Sequence, residues 1–226
     1  GTDAVWKYAT EDGIPKMIVV NAFDKEETDF ERVLAQVRDH FGASVFPMTL
    51  PVNPGPGFNQ LLDVPRSEII TYAGDRSGKF TEAPAAGPWA DRVKALHQEL
   101  MEHVAESDDA LMEKFFDKGG LSEEEWRAGI HKAIQQQVFV PLFVTSAENN
   151  IGVARLMDII AKYGSSPVDR AKVKAVDGNG RETEIALTDP DPVCYVFKTM
   201  SEAQFGELSF FRIYSGHVKF GSELYN

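Results

Sequence analysis

Two short segments carry residue types that could do chemistry. In Asn21-Ala22-Phe23-Asp24 an amide and a carboxylate stand three residues apart, directly after the apolar run Met17-Ile18-Val19-Val20. A carboxylate can accept two hydrogen bonds from adjacent N–H groups, as N1 and the exocyclic amine of guanine offer, and an Asn can donate to ring acceptors while bracing its loop. Both residues are also common turn formers and helix caps, so the spacing taken alone fits a plain turn as well. The second segment, Ser146-Ala147, follows the apolar run Val138 to Val144. A small side chain there lets backbone N–H groups approach a ligand, and such a donor could meet guanine O6. The structural alternative is a helix N-cap and its approach, built from Ser146, Ala147, Asn149 and Asn150.

Other segments imitate sites without meeting their requirements. Gly74-Asp75-Arg76-Ser77-Gly78-Lys79-Phe80 has three residues between its glycines and Phe80 after the lysine, whereas a phosphate-binding loop needs four and a hydroxyl. A hairpin turn is the expected structure. Asp177-Gly178-Asn179-Gly180 reads as another hairpin turn rather than as a metal switch. The five histidines form no cluster with metal-ligand spacing, since His97 and His103, which lie nearest each other, fall on different faces of a helix. Cys194 has no local partner and reads as a small core residue within a strand.

The elements that must position the two segments can be read from periodicity. Met17 to Val20 is typical of a strand buried on both faces of a parallel sheet. Thr28-Asp29-Phe30-Glu31 reads as a capping box, and Phe30, Val33, Leu34, Val37 and Phe41 repeat at helical spacing up to Gly42. Val138 to Val144 is a second strand, in which Pro141 argues for an edge position or a bulge. Ile151, Leu156, Ile159, Ile160 and Tyr163 mark a helix ending at Gly164. The two strands are expected to share one sheet, with both candidate loops at its carboxyl end, where open α/β sheets bind ligands. Residues 1–42 and 138–165 would then form part of one domain, with 43–137 inserted as an α+β subdomain. The insertion carries a hairpin around Gly74 to Gly78 and three helices, with stripes Trp89, Val93, Leu96, Leu100 and Val104, then Leu111, Met112 and Phe115, then Trp126, Ile130 and Ile134 behind a Ser122–Glu125 cap. Residues 166–226 change to short β-branched and aromatic runs, the opening strands of a β-barrel too few to close it.

Composition excludes several classes. The 226 residues are 43% hydrophobic and 26% charged, which rules out disorder as the main state. A net charge of −12 disfavours DNA and anionic membrane surfaces as partners. One cysteine precludes an internal disulfide and fits a reducing, cytoplasmic setting. No apolar run approaches the roughly 18 residues of a membrane span, and the first ten residues lack the pattern of a signal peptide. The missing initiator Met and the ending at Leu224-Tyr225-Asn226 suggest a piece of a longer protein.

With Asn21-Ala22-Phe23-Asp24, Ser146-Ala147 and Phe210-Phe211-Arg212-Ile213-Tyr214-Ser215-Gly216 in that order, the chain resembles bacterial translation elongation factor G. Gly13-Ile14-Pro15, Ser166-Pro167-Val168-Asp169 and Phe205-Gly206-Glu207-Leu208 look like the family at corresponding places. The resemblance implies the rear half of a P-loop GTPase-type domain with its inserted G′ subdomain, followed by the start of domain II. It implies that Asn21, Ala22, Asp24, Ser146 and Ala147 contact the guanine base of GTP or GDP. Mg²⁺ and the phosphates would be held by segments of the parent that precede Gly1, so this chain alone would bind no cofactor and catalyse nothing. The implied partner is the ribosome, with the ribosomal stalk protein meeting the insertion's acidic residues Glu99, Glu102, Glu106, Asp108, Asp109, Glu113, Glu123, Glu124 and Glu125. Ala22 departs from the pattern, because the family has Lys there, whose stem covers the base. A second implication is therefore open: a non-enzymatic ribosome-binding paralogue with a decayed nucleotide site. A third reading, an unrelated α/β domain, has only the Asn-x-x-Asp turn in its favour.

Overall fold

The computed structural model describes residues 1–225, which divide into two units, 1–165 and 166–225. The first unit opens with helix α1 (Thr2–Glu11), which the sequence reading missed because no residue in it is buried and its apolar stripe is thin. Trp6 nonetheless packs on Phe41, with ring centroids 4.5 Å apart. Strand β1 (Ile18–Val20), helix α2 (Phe30–Phe41) and strand β2 (Val45–Pro47) follow. Asp29 caps α2 by accepting from the Arg32 amide, so the helix begins one residue later than the Thr28 capping box predicts. The Thr28 hydroxyl donates instead to the Lys25 carbonyl at 3.2 Å and closes the preceding loop.

Next come β3 (Thr49–Pro51), β4 (Gln60–Asp63), β5 (Glu68–Tyr72) and β6 (Phe80–Pro84), an antiparallel sheet in sequential order. The segment Gly74 to Gly78 is the β5–β6 hairpin, as expected, with the Ala73 amide donating to Lys79 O at 2.9 Å. Three helices follow, α3 (Pro88–Ala105), α4 (Asp109–Lys118) and α5 (Glu123–Gln135), and the Ser122–Glu125 capping box forms reciprocally. Strand β7 (Val140–Val144) and helix α6 (Val153–Tyr163) complete the unit.

The parallel sheet has the order β1-β7-β2, so the two strands ahead of the candidate loops are neighbours, in register Ile18 to Leu142 and Val20 to Val144. Two expectations need correction. Strand β1 lies at the edge rather than buried on both faces, and Val19 is 44% exposed. Strand β7, the proline-bearing one, is central. Its neighbours are staggered: β2 pairs with Val140 to Leu142 and β1 with Leu142 to Val144. The Val140 amide points to the β2 side, bonding Ser44 O at 2.9 Å, so the missing N–H of Pro141 falls on the other side before β1 begins. Because β2 pairs with β7, residues 45–47 belong to the parallel sheet, inside the span 43–137 assigned to the insertion.

One apolar core runs through both layers. Phe46, Met48, Leu50, Leu61, Leu62, Ile70, Leu100, Ile130 and Phe143 are at most 1% exposed, and Met48 N bonds Leu142 O at 2.8 Å to stitch the insertion to the sheet. The second unit holds two hairpins, β8 (Lys172–Val176) with β9 (Glu182–Ala186) and β10 (Val193–Glu202) with β11 (Gly206–Ser215). These are open two-stranded sheets among the described residues, and Cys194 is only partly buried in β10.

Candidate functional site

The two segments singled out by residue type meet at the carboxyl end of the parallel sheet. Thr145 N donates to Val20 O at 3.0 Å and Phe23 N to Thr145 O at 3.3 Å, so pairing of β1 with β7 continues into the loops. The Asn21 carboxamide then bridges them, its Oδ1 accepting from Ala147 N at 2.9 Å and from Thr145 Oγ1 at 3.1 Å. The amide of Ala147 can only donate, which fixes the oxygen toward it and leaves the Asn21 NH₂ without an acceptor among the described residues. Ala147 therefore spends its own N–H on Asn21. The donor next to it, the Glu148 amide, has no partner among the described residues.

Asp24 faces the same space. Its side chain is 10% exposed, and Oδ2 is 3.3 Å from Lys25 Nζ, while Oδ1 is buried without a hydrogen-bond partner. The buried Ser146 hydroxyl stands beside this carboxylate without reaching full hydrogen-bond geometry, and it is the main cause holding the carboxyl below its ordinary range, with Lys25 adding to it against the effect of burial. An ionised carboxylate with an unmet lone pair and an amide with free donors form the pattern that a guanine edge complements. Ala22 sits between them at φ 70°, a left-handed conformation costing a non-glycine residue about 1–2 kcal/mol. Phe23 turns inward, 2% exposed, against Phe30 and Phe58, and its carbonyl accepts from Gly55 N at 2.8 Å.

The second loop is clamped at its base. Ser146 and Ile151 exchange backbone bonds of 3.0 and 2.9 Å. The cap of α6 is Gly152, not Ser146, Asn149 or Asn150, and a Cβ there would lie 2.7 Å from Val144 O and 3.0 Å from Leu61 Cδ1. Behind it Arg155 Nε bonds Asp63 Oδ2 in an ion pair whose members are 5% and 0% exposed, and Asp63 Oδ1 accepts from Arg66 N at 3.1 Å. Tyr72, whose hydroxyl burial pushes up to about 12, lines the same interior. Neither Asp63 nor Arg155 was legible as a partner, because 92 residues separate them. Thr145, Lys25 and Glu148 were also missed; Thr145 alone had a signal, as the residue that ends the strand.

Elsewhere, no group of three or more His, Cys, Asp or Glu among the described residues could hold a metal ion. Several acidic residues of the insertion are paired locally: Asp108 with Lys132, Glu123 with Arg127 at 3.0 Å, and Glu125 with Lys114 at 2.6 Å. No helix among the described residues is long and apolar enough to cross a membrane.

A crystal structure of a Thermus thermophilus protein is similar to the chain at 26% identity and a TM-score of 0.78, over 98% of this chain and 30% of that one. The chain thus spans less than a third of that protein's length. The family model described as the elongation factor Tu GTP binding domain matches residues 1–166, the stretch that carries both loops. The chain belongs to the family of the elongation factor Tu GTP binding domain, the translation GTPases.

Proposed function

We propose that this chain supplies the guanine-reading half of the nucleotide site of an elongation factor G-like GTPase acting on the ribosome. Asp24 accepts from N1–H and the exocyclic amine, the free NH₂ of Asn21 donates to a ring acceptor, and the amide beside Ala147 meets O6. The observation that carries this reading is the Asn21 carboxamide tying two strand ends together beside a buried carboxylate oxygen with no partner. The sequence contains no Gly-x-x-x-x-Gly-Lys-Ser/Thr segment, so phosphate and Mg²⁺ binding fall to a part of the parent outside it. By itself the chain then reads a base weakly and hydrolyses nothing.

Ala22 favours a second reading, a ribosome-binding paralogue whose nucleotide site has decayed, because no lysine stem covers the base. In either case the insertion offers the ribosomal stalk protein its exposed acids, reduced by those already paired within the subdomain. The deciding test follows the backbone amides of Asn21 to Lys25 and of Ala147 to Asn150 by NMR while guanosine and adenosine are added in turn. Millimolar guanosine should shift both loops and adenosine neither. Equal responses to the two nucleosides, or none, would refute base reading.

A further inference from the structure

The β5–β6 hairpin, whose glycines imitate a phosphate loop, ends beside the candidate base site. Asn150 Nδ2 donates to Arg76 O at 3.3 Å, and a Cβ on Gly78 would lie 2.6 Å from that same Nδ2. Only a residue without a side chain leaves room for Asn150 to reach over the tip. Arg76 itself sits at φ 63° and places its guanidinium 3.8 Å from Glu148 Oε1. The other oxygen of Glu148 accepts from Lys25 Nζ at 3.0 Å, and Lys25 is 3.3 Å from Asp24 Oδ2. A continuous chain of contacts thus runs from the hairpin tip through Glu148 and Lys25 to the carboxylate that faces the base.

Its effect follows from which atoms it occupies. The base of the Ala147–Asn150 turn is fixed by the Ser146–Ile151 bonds and closed by Asn150 N on Ala147 O at 3.2 Å, and among the described residues Asn21, Lys25 and the hairpin hold the rest of it. Lys25 engages Oδ2 of Asp24 while the Ser146 hydroxyl stands beside the same carboxylate, so the two together bear on its rotation. Glu148 holds Lys25 in that place, Arg76 pairs with Glu148, and Asn150 holds Arg76 through its carbonyl. We infer that the hairpin tip is a third loop of the base site, in which Arg76 and Asn150 are positioning residues that orient the Asp24 carboxylate through Glu148 and Lys25 and so tune discrimination for the exocyclic amine of guanine. This inference rests on the base-reading function proposed above.

The experiment compares guanosine with inosine, which lacks the exocyclic amine, as NMR ligands of the 226-residue chain. The wild-type chain should prefer guanosine. Arg76→Ala and Asn150→Ala should each lower the guanosine-to-inosine affinity ratio about two- to fivefold, the range over which an exposed pair moves an equilibrium, and Arg76→Lys should restore it. High salt should shrink the Arg76→Ala effect, since the pair is exposed to screening. A merely structural contribution would weaken both nucleosides alike and leave the ratio unchanged, which would overturn the inference while the base reading stands. Failure of the wild type to prefer guanosine over inosine would overturn the reading and the inference together. Circular dichroism of each variant checks that the sheet is intact.

Discussion

Arg155→Met should be among the most damaging single changes in the first unit, although neither the fold class nor the motif pattern points to it. Asp63 is fully buried and Arg155 is 5% exposed, so removing the guanidinium strands a carboxylate whose remaining bond is that of Oδ1 to Arg66 N. Breaking one side of such a pair costs about 3–5 kcal/mol, most of it the penalty of an uncompensated buried charge. The double change Asp63→Leu with Arg155→Met removes the charge as well and forfeits mainly the turn bond to Arg66, about 1–2 kcal/mol. The double change should therefore recover about 2–3 kcal/mol of the loss caused by Arg155→Met alone. All three tryptophans, Trp6, Trp89 and Trp126, lie within Gly1–Ser165, so tryptophan fluorescence in urea follows that unit alone. A cost below about 1 kcal/mol for Arg155→Met, at unchanged denaturant slope, would refute the argument that this pair is dry and geometrically committed.

Gly152→Ala should cost about 3 kcal/mol by the same assay, since the new methyl meets Val144 O at 2.7 Å and the backbone stands at φ 77°; a cost under about 1 kcal/mol would mean that the loop relaxes freely. Ala22→Gly should instead stabilise the unit by about 0.5 kcal/mol, the relief of a left-handed alanine less the added freedom of the unfolded chain, and a measured destabilisation would count against that account. Asp24→Asn should weaken guanosine and favour xanthosine, because an amide presents its NH₂ to the xanthine carbonyl, at a loss for guanosine of about 1.5–3 kcal/mol in the intact parent; unchanged preference would make Asp24 a turn residue. Glu125 is held at about 2, against an ordinary 4.5, first by Lys114 and then by the Ser122 cap. A depressed carboxyl stabilises the fold above its unfolded value, so this contribution is complete above about pH 4.5 and lost as pH falls toward about 2. Glu125→Gln should accordingly flatten acid unfolding in that window, and an unaltered acid limb would contradict it.

What the sequence disclosed follows the range of the forces involved. Helices α2, α3, α5 and α6 are legible because their apolar stripes recur every three to four residues and their ends carry Asp29, Pro88, Ser122 and Gly164, all local signals. The placement of both candidate loops at one sheet end was also legible, since apolar runs followed by polar turns imply strand ends. Edge and centre were not. Val19 and Phe143 lie in equally apolar runs, and what separates them is the β1-β7-β2 order, which no local pattern contains. Pro141 misleads for the same reason: its rule concerns a missing hydrogen bond on one side, and only the stagger of β1 against β2 shows that this side is vacant there. The ties that complete the site, Thr145 to Asn21, Lys25 to Glu148 and Arg155 to Asp63, span 92 to 124 residues, so their partners are set by topology.

These long-range ties also bear on how strongly the proposed site can bind. Asn21 is already bonded to Thr145 and Ala147, and the turn base is closed by Ser146 and Ile151, so little of the loop remains to be ordered when a base arrives. The Asp24 carboxylate, whose Oδ1 makes no full hydrogen bond and is met only by the neighbouring Ser146 hydroxyl, works in the same direction. A buried acceptor without a full hydrogen bond costs up to about 1–3 kcal/mol in the free protein, and a ligand that supplies a donor recovers part of that cost in addition to its own bonds. Preorganisation of this kind favours selectivity more than affinity, because a base lacking the matching donor leaves the cost in place. On the proposed reading, the sheet pairing that makes the fold stable also makes the site particular about which base it accepts, while strong binding of a nucleotide depends on phosphate contacts supplied elsewhere in the parent.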